Sequence, residues 1–306
     1  MNILLLGSTG QLGFALQSAL KGLGVIQALG RNDLDLNLAT EKSIEDLFLT
    51  LRPNWVVNAS AYTAVDLAES KQEAAFKVNA IVPELLAKSS AKHHAGLIHF
   101  STDFVFDGEK KSPYVEGDNC RPLSVYGQSK RQGELAVQEH CPEHLIFRTG
   151  WLMGPHGGNF LKTMLRLAST KPELKVIADQ FGAPTPAAWL AAVTQKAIQS
   201  CESIKHQRTD ASSIPLWGLY HASGAGEISW HQYAKTVIEQ AQALDFHLAL
   251  KPENVLPIPS SSYPLPAKRP AYSVLDCHKL RQAFKVEQPI WHQSIVDVLK
   301  SIQAPH

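Results

Sequence analysis

A doubly wound parallel α/β sheet carrying a smaller C-terminal part is the fold class predicted for this chain. Three observations predict it. Short apolar runs alternate with helical patterns through the first half, those runs lack inside–outside alternation, and a Gly-x-x-Gly-x-x-Gly turn follows the first of them. Strands separated by helices pair in parallel through crossovers. Strands that are apolar throughout are covered on both faces.

Ile3–Leu6 reads as the first strand, and Leu12, Leu16 and Leu20, spaced by four, mark the first helix. Val25–Leu29 is the second strand. A helix over Ser43–Leu51 ends before Pro53, and Trp55–Asn58 is the third strand. Ser70 and Glu73 have capping-box spacing and predict a helix running to about Asn79. Pro83 suits the first turn of the next helix, which ends near His93. Leu97–Phe100 and Leu145–Arg148 are further strands on either side of a helix over Val125–His140.

Beyond Trp151 the rhythm loosens. Gly154–Gly158 is a loop, helices are expected near Phe160–Leu167 and over Ala187–Gln199, and Cys201–Pro215 reads as a polar connector. Six prolines between Pro252 and Pro270 predict no regular structure there.

Composition sets the outer bounds. At 306 residues, 44% hydrophobic and 19% charged, the chain is an ordinary globular sequence. A chain of this size buries about three quarters of its unfolded surface, so it needs no disulfide or metal staple. A net charge of +1, from 29 basic and 28 acidic residues, argues against a nucleic-acid partner. Cys120, Cys141, Cys201 and Cys277 are widely spaced with no Cys-x-x-Cys, which reads as reduced thiols. Met1–Gly7 lacks the charged start of a signal peptide and is too short to cross a membrane, so a cytoplasmic protein with no membrane partner is expected.

The glycines of the first turn are Gly7, Gly10 and Gly13. Placed between a strand and a helix, they permit a tight turn, remove the Cβ that would block an approaching anion, and let helix pack on strand. The helix N-terminus then faces a pyrophosphate. Residues 1–150 are therefore expected to bind a dinucleotide. Residues 151–306 would form mainly a substrate-binding part, interleaved with late elements of the sheet. The second strand ends in Leu29-Gly30-Arg31-Asn32; an arginine at that tip suits the 2′-phosphate of NADP better than an acidic residue would. NADPH is the expected cofactor, with NADH tolerated.

Tyr126 and Lys130 lie four apart in a helical pattern and so share a face. An ammonium beside a phenol lowers the phenol's pKa, and such a tyrosine can protonate an alkoxide as it forms from a ketone. The preceding strand ends in Ser101-Thr102-Asp103, a hydroxyl-bearing segment at the carboxyl edge of the sheet, where such folds bind ligands.

With these motifs go Asn58–Asp66, Ser101–Phe106, Tyr126–Lys130, Phe147–Trp151 and Asp179–Thr185. Over nearly its whole length the chain resembles the extended short-chain dehydrogenase/reductase superfamily, and within it the dTDP-4-dehydrorhamnose reductases. The resemblance implies a Rossmann sheet and hydride transfer from NAD(P)H to C4 of a dTDP-4-dehydro sugar. Tyr126 would be the proton donor, Lys130 would tune it and hold the cofactor ribose, and Thr102 and Asp103 would contact the reacting oxygen. It further implies pyrophosphate contacts from Gln11 and Leu12, adenine contacts from Asp35 and Leu36, and a cofactor wall from Ala61, Tyr62 and Thr63. Trp151 would pack on the sugar, and Lys268 or Arg269 would meet the substrate diphosphate.

Some reductases of this kind pair subunits through a magnesium ion held by glutamates. The corresponding positions here are Ala15 and Ala188. A hard cation has no anchor in alanine, so no metal and either a monomer or a metal-independent homodimer are expected. His93, His94 and His231 read as surface residues. Two rival functions stay open at this point: a redox-neutral nucleotide-sugar epimerase or dehydratase, and a non-catalytic NADP-binding regulatory subunit like that of methionine adenosyltransferase. Phe104 stands where dehydratases of the superfamily carry a glutamate, which disfavours elimination.

Overall fold

The structure is a computed structural model that describes residues 1–206 and 216–303. Its centre is a six-stranded sheet in the order Gly218–His221, His144–Thr149, Gly96–Thr102, Trp55–Asn58, Asn2–Leu6, Val25–Leu29. Every neighbouring pair in it is parallel. From Asn2–Leu6 the chain first moves outward to Val25–Leu29, then returns to the other side and adds strands in that direction. That reversal opens a crevice beyond the carboxyl ends of Asn2–Leu6 and Trp55–Asn58, where doubly wound sheets bind ligands.

Covered faces explain the unbroken apolar strands. Ile3 and Leu5 pack in one core cluster with the helices Gln11–Leu20 and Ala187–His206, while Leu4 and Leu6 pack in another with Glu41–Leu51 and Val82–Lys92. Trp55 and Val57 divide from Val56, and Leu145 and Phe147 from Ile146, in the same way. Side chains alternate between faces along a strand, and here both faces are buried.

A third cluster lies apart, built by the helices Phe160–Ala168, Trp230–Ala243 and Trp291–Gln303 with the paired strands Leu174–Ile177 and Val255–Ile258. The C-terminal half therefore contributes both this separate core and one strand of the main sheet.

Three expectations change. Val255–Ile258, inside the proline-rich stretch, is a strand after all. It pairs only with Leu174–Ile177, and Pro257 is tolerated because an edge strand need not donate on its free side. The helix expected over Ala187–Gln199 extends to His206, into the segment read as a polar connector, and the rest of that connector lies outside the described residues. Finally, Ser70 does not open a capping box: its hydroxyl donates to Leu67 O, closing a short helix, and Gln72–Phe76 starts after Lys71 with no side-chain cap.

The segment from Gln72 to Lys92 then runs through without the break expected before Pro83, by way of a wider π-type turn at Lys77–Ile81. Pro83 has no N–H for Asn79 O, and a π turn is one way to carry a helix past the missing bond. The Asn79 side chain, buried in this turn, accepts from Tyr62 N at 2.8 Å and donates to Tyr62 O at 3.1 Å and Ser129 Oγ at 3.0 Å. His93, half-buried on Glu45, and His231, which donates to Val255 O at 2.8 Å, are structural residues more than surface ones.

Candidate active site

The crevice is a cleft of about 940 Å³. At one end lies the glycine turn. Gly7 has φ +78°, and a Cβ there would come within 2.7 Å of Ser60 N, so only glycine lets this turn touch the end of the third strand. A Cβ on Gly13 would run into Gly7 O; Gly13 serves helix-to-turn packing and does not line the cleft, unlike Gly7, Gly10, Gln11 and Leu12. Gly10 N-caps Gln11–Leu20 with no side-chain bond. The first amides of that helix are thereby left to an outside acceptor. Gln11 Oε1 accepts from Asn159 Nδ2 at 2.6 Å, which ties the loop after Gly154 over the turn.

Arg31 is exposed on the rim at the tip of Val25–Leu29, and Leu36 lines the same end. Asp35 does not line the cleft. Its carboxylate accepts from Asn37 N at 3.0 Å and Asn37 Nδ2 at 2.8 Å, bonds that hold its pKa below the usual carboxylate value. Ala61, Tyr62 and Thr63 form the wall beyond the third strand, and Tyr62 presents a buried hydroxyl without a partner. A glycine cradle with free helix amides, a rim arginine and an orphan hydroxyl along one wall fit a phosphorylated dinucleotide.

The other end gathers the reactive groups. Ser124 accepts from Gly127 N at 3.2 Å and starts the helix Val125–His140, whose Gly127 lies against Phe104 O with no room for a Cβ. That close approach brings Tyr126 within hydrogen-bonding reach of Thr102. Thr102 Oγ1 in turn donates to Asp103 Oδ1 at 3.0 Å. Lys130, 1% exposed, does not face the phenol. Its Nζ donates to Phe100 O at 2.5 Å and sits 3.5 Å from His99 Nε2.

This corrects the electrostatics expected from the four-residue spacing. Burial pushes the Tyr126 phenol up to about 12 instead of down, and burial lowers Lys130 to about 8, with nearby Glu134 opposing. A buried ammonium has to find an acceptor, and the strand carbonyl is nearer than the ring. The helix is pinned one turn further on: Glu134, on the same face as Lys130, accepts from Arg148 Nε and Nη2, each at 2.7 Å.

Asp103 carries a testable consequence. Burial raises its carboxyl from 3.8 to about 6, against hydrogen bonds from Ser273 and Thr102 that lower it. The folded chain thus holds this proton up to about pH 6, whereas the unfolded chain releases it near 3.8. Stability falls as pH rises through that window and stays reduced above it. Asp103→Asn is expected to remove this slope and raise stability at pH 7, by up to about 3 kcal/mol at about 1.4 kcal/mol per pKa unit. Urea midpoints measured from pH 4 to pH 8 would reveal it; an unchanged slope would show that Asp103 is solvated.

Trp151 lines the cleft with φ +49°, a conformation a bulky residue adopts only under constraint. Gly182 leaves room for its ring, and Trp230 stacks on it at 3.4 Å and 6°. Trp230, which also lines the cleft, was not legible in sequence. Lys268 is exposed and Arg269 is engaged elsewhere; neither lines the cleft. Arg269 makes a two-pronged ion pair with Asp66, at 3.0 and 2.7 Å, which fastens the proline-rich loop to the helix Val65–Ala68.

A family model described as RmlD substrate binding domain matches residues 1–304. The dTDP-4-dehydrorhamnose reductase of Shigella flexneri is 43% identical over 99% of this chain and 98% of its own length, and that of Escherichia coli K12 is 42% identical over the same shares. The chain belongs to the dTDP-4-dehydrorhamnose reductase family. Solved structures of the family agree. One from Clostridium acetobutylicum has a TM-score of 0.88 at 36% identity, covering 99% of this chain and 100% of that one. One from Bacillus anthracis, in complex with NADP, has a TM-score of 0.85 at 31% identity, covering 98% and 99%. A UDP-glucose 4-epimerase from Thermotoga maritima, at 17% identity and a TM-score of 0.76, shares the fold.

Proposed function

We propose that this chain reduces the C4 keto group of dTDP-4-dehydro-L-rhamnose to give dTDP-L-rhamnose, using NADPH. The observation that carries the reading is one cleft with the glycine turn at one end and Thr102, Tyr126 and Lys130 gathered at the other. Family membership over the whole chain supplies the substrate class.

NADPH, when bound, supplies the hydride that goes to C4. The remaining work belongs to the protein. Tyr126 passes its phenolic proton to O4 as negative charge builds there. Burial keeps that phenol neutral at working pH, so it enters the reaction carrying the proton, and an alkoxide is basic enough to take it. Thr102, beside the phenol, would turn its one hydroxyl proton from Asp103 Oδ1 to the same oxygen and so orient it. The phenolate left behind is the form that burial disfavours, which drives its reprotonation. Lys130 would turn from Phe100 O to the cofactor's ribose. Gly7, Gly10, Gln11 and Leu12 would hold the pyrophosphate and Arg31 the 2′-phosphate. Leu36, Ala61, Tyr62 and Thr63 would line the adenosine and ribose wall.

Trp151, backed by Trp230, offers a flat apolar surface for the hexose. We assign residues 1–150 to the cofactor and 151–306 mainly to the sugar nucleotide. We expect no magnesium-bridged dimer, because alanines at Ala15 and Ala188 offer a hard cation no carboxylate. Among the described residues no helix is long and apolar enough to cross a membrane. We place the enzyme in the cytoplasm on its nucleotide-sugar chemistry.

Mixing the protein with NADPH and dTDP-4-dehydro-L-rhamnose is expected to consume both in equal amounts. Sugar conversion without loss of NADPH absorbance would indicate the redox-neutral epimerase instead. Cofactor binding with no turnover on any keto-sugar nucleotide would indicate a regulatory subunit.

A further inference from the structure

Thr149 ends the strand His144–Thr149, in register with Thr102 on the neighbouring strand. It is 5% exposed, it lines the cleft, and its hydroxyl has no hydrogen-bond partner. A buried hydroxyl left without a partner is costly, on the order of 1–3 kcal/mol. Two other orphan hydroxyls line the same cleft, but Ser101 faces the Glu134 carboxylate and Tyr62 lies on the wall beyond the third strand. Thr149 is the orphan at the reactive end.

Sheet order says what reaches it. Across the carboxyl ends the sequence of strands is Val25–Leu29, Asn2–Leu6, Trp55–Asn58, Gly96–Thr102 and His144–Thr149. Arg31 marks the 2′-phosphate end of a bound dinucleotide and Gly7 its pyrophosphate. The nicotinamide must then extend the opposite way, past Tyr62 to Thr102 and Thr149. A nicotinamide ring carries one uncharged polar substituent, its carboxamide, which both donates and accepts as a hydroxyl does. The hexose is placed on the Trp151 side, whereas Thr149 lies on the cleft floor one strand beyond Thr102.

We propose that Thr149 is the cofactor-binding residue that hydrogen-bonds the nicotinamide carboxamide. The proposal rests on the NADP(H) reading above. It gives the orphan hydroxyl a purpose: the free protein keeps an unpaired polar group that only the correct cofactor end can satisfy.

The test compares Thr149→Val, which keeps the shape and removes the hydroxyl, with Thr149→Ser, which keeps the hydroxyl. Calorimetric affinities are measured for NADP⁺ and for its fragment lacking nicotinamide, 2′-phospho-ADP-ribose. Thr149→Val is expected to weaken NADP⁺ roughly ten-fold and leave the fragment within two-fold of wild type, while Thr149→Ser stays close to wild type for both. The melting temperature of the cofactor-free Thr149→Val protein is expected to equal or exceed that of wild type, because an unsatisfied buried group has gone. Equal weakening of both ligands, or a lowered melting temperature, would mean a structural role and overturn the proposal. Unchanged NADP⁺ affinity with a raised KM for the sugar nucleotide would assign the hydroxyl to the sugar and overturn it as well. Wild-type protein that binds neither ligand would instead sink the cofactor reading itself.

Discussion

Tyr126→Phe is expected to lower turnover of the keto sugar by roughly 10²–10⁴-fold while leaving NADPH affinity within a few-fold of wild type. The size follows from what the hydroxyl does. Without it, charge developing on O4 has Thr102 as its remaining donor beside it, and no group delivers the proton. The ring itself stays, and its edge-on contact with Phe104 at 5.9 Å needs no oxygen, so the local structure should hold. Stopped-flow single turnovers with bound NADPH separate chemistry from release; a variant as fast as wild type would remove Tyr126 from the mechanism. Because burial already holds the phenol near 12, the wild-type rate should not rise with pH between 6 and 9, as it would if a phenolate were the active form.

Arg148→Met is expected to cost about 3–5 kcal/mol of stability. Arg148 and Glu134 are 1% and 0% exposed and bonded through two parallel contacts. Removing the guanidinium leaves a buried carboxylate with Arg131 at 2.7 Å and the Ser101 hydroxyl to answer it. The charge would have to take up a proton or drag in water, and the helix that carries Tyr126 and Lys130 would shift to allow either. Replacing both members, Arg148→Met with Glu134→Leu, should recover much of the loss, since an apolar pair of similar volume leaves no uncompensated charge. Guanidinium unfolding curves would show both effects, and a single variant within 1 kcal/mol of wild type would mean the pair is water-accessible.

The parts of the fold that local physics controls were readable from the chain. Val25–Leu29, Trp55–Asn58 and Val125–His140 begin and end where the apolar runs and the helical pattern place them. The glycine turn and the Tyr126–Lys130 pair could be found because each is a short spacing with a chemical reason. What stayed hidden depends on partners distant in sequence. Arg269 looked free for a phosphate until Asp66 was seen to hold it. Trp230 had no visible role until it was found against Trp151. The direction of the Tyr126 shift was misjudged because spacing shows which charges are near and says nothing about how much water is excluded. Pro257 misled for a related reason: proline forbids a central strand, and only the pairing partner reveals an edge.

The last strand of the main sheet, Gly218–His221, and the helix Ala187–His206 come from the half of the chain that also builds the separate third core. Anyone grafting a different sugar specificity onto this scaffold has to reckon with that interlock. A chimera joined cleanly at Gly150 would strip a neighbour from His144–Thr149 and bare the apolar flank of Gln11–Leu20. The exchangeable pieces are loops and single faces around Trp151 and Trp230, so diversification of such enzymes should proceed by small patches and not by wholesale swapping of halves.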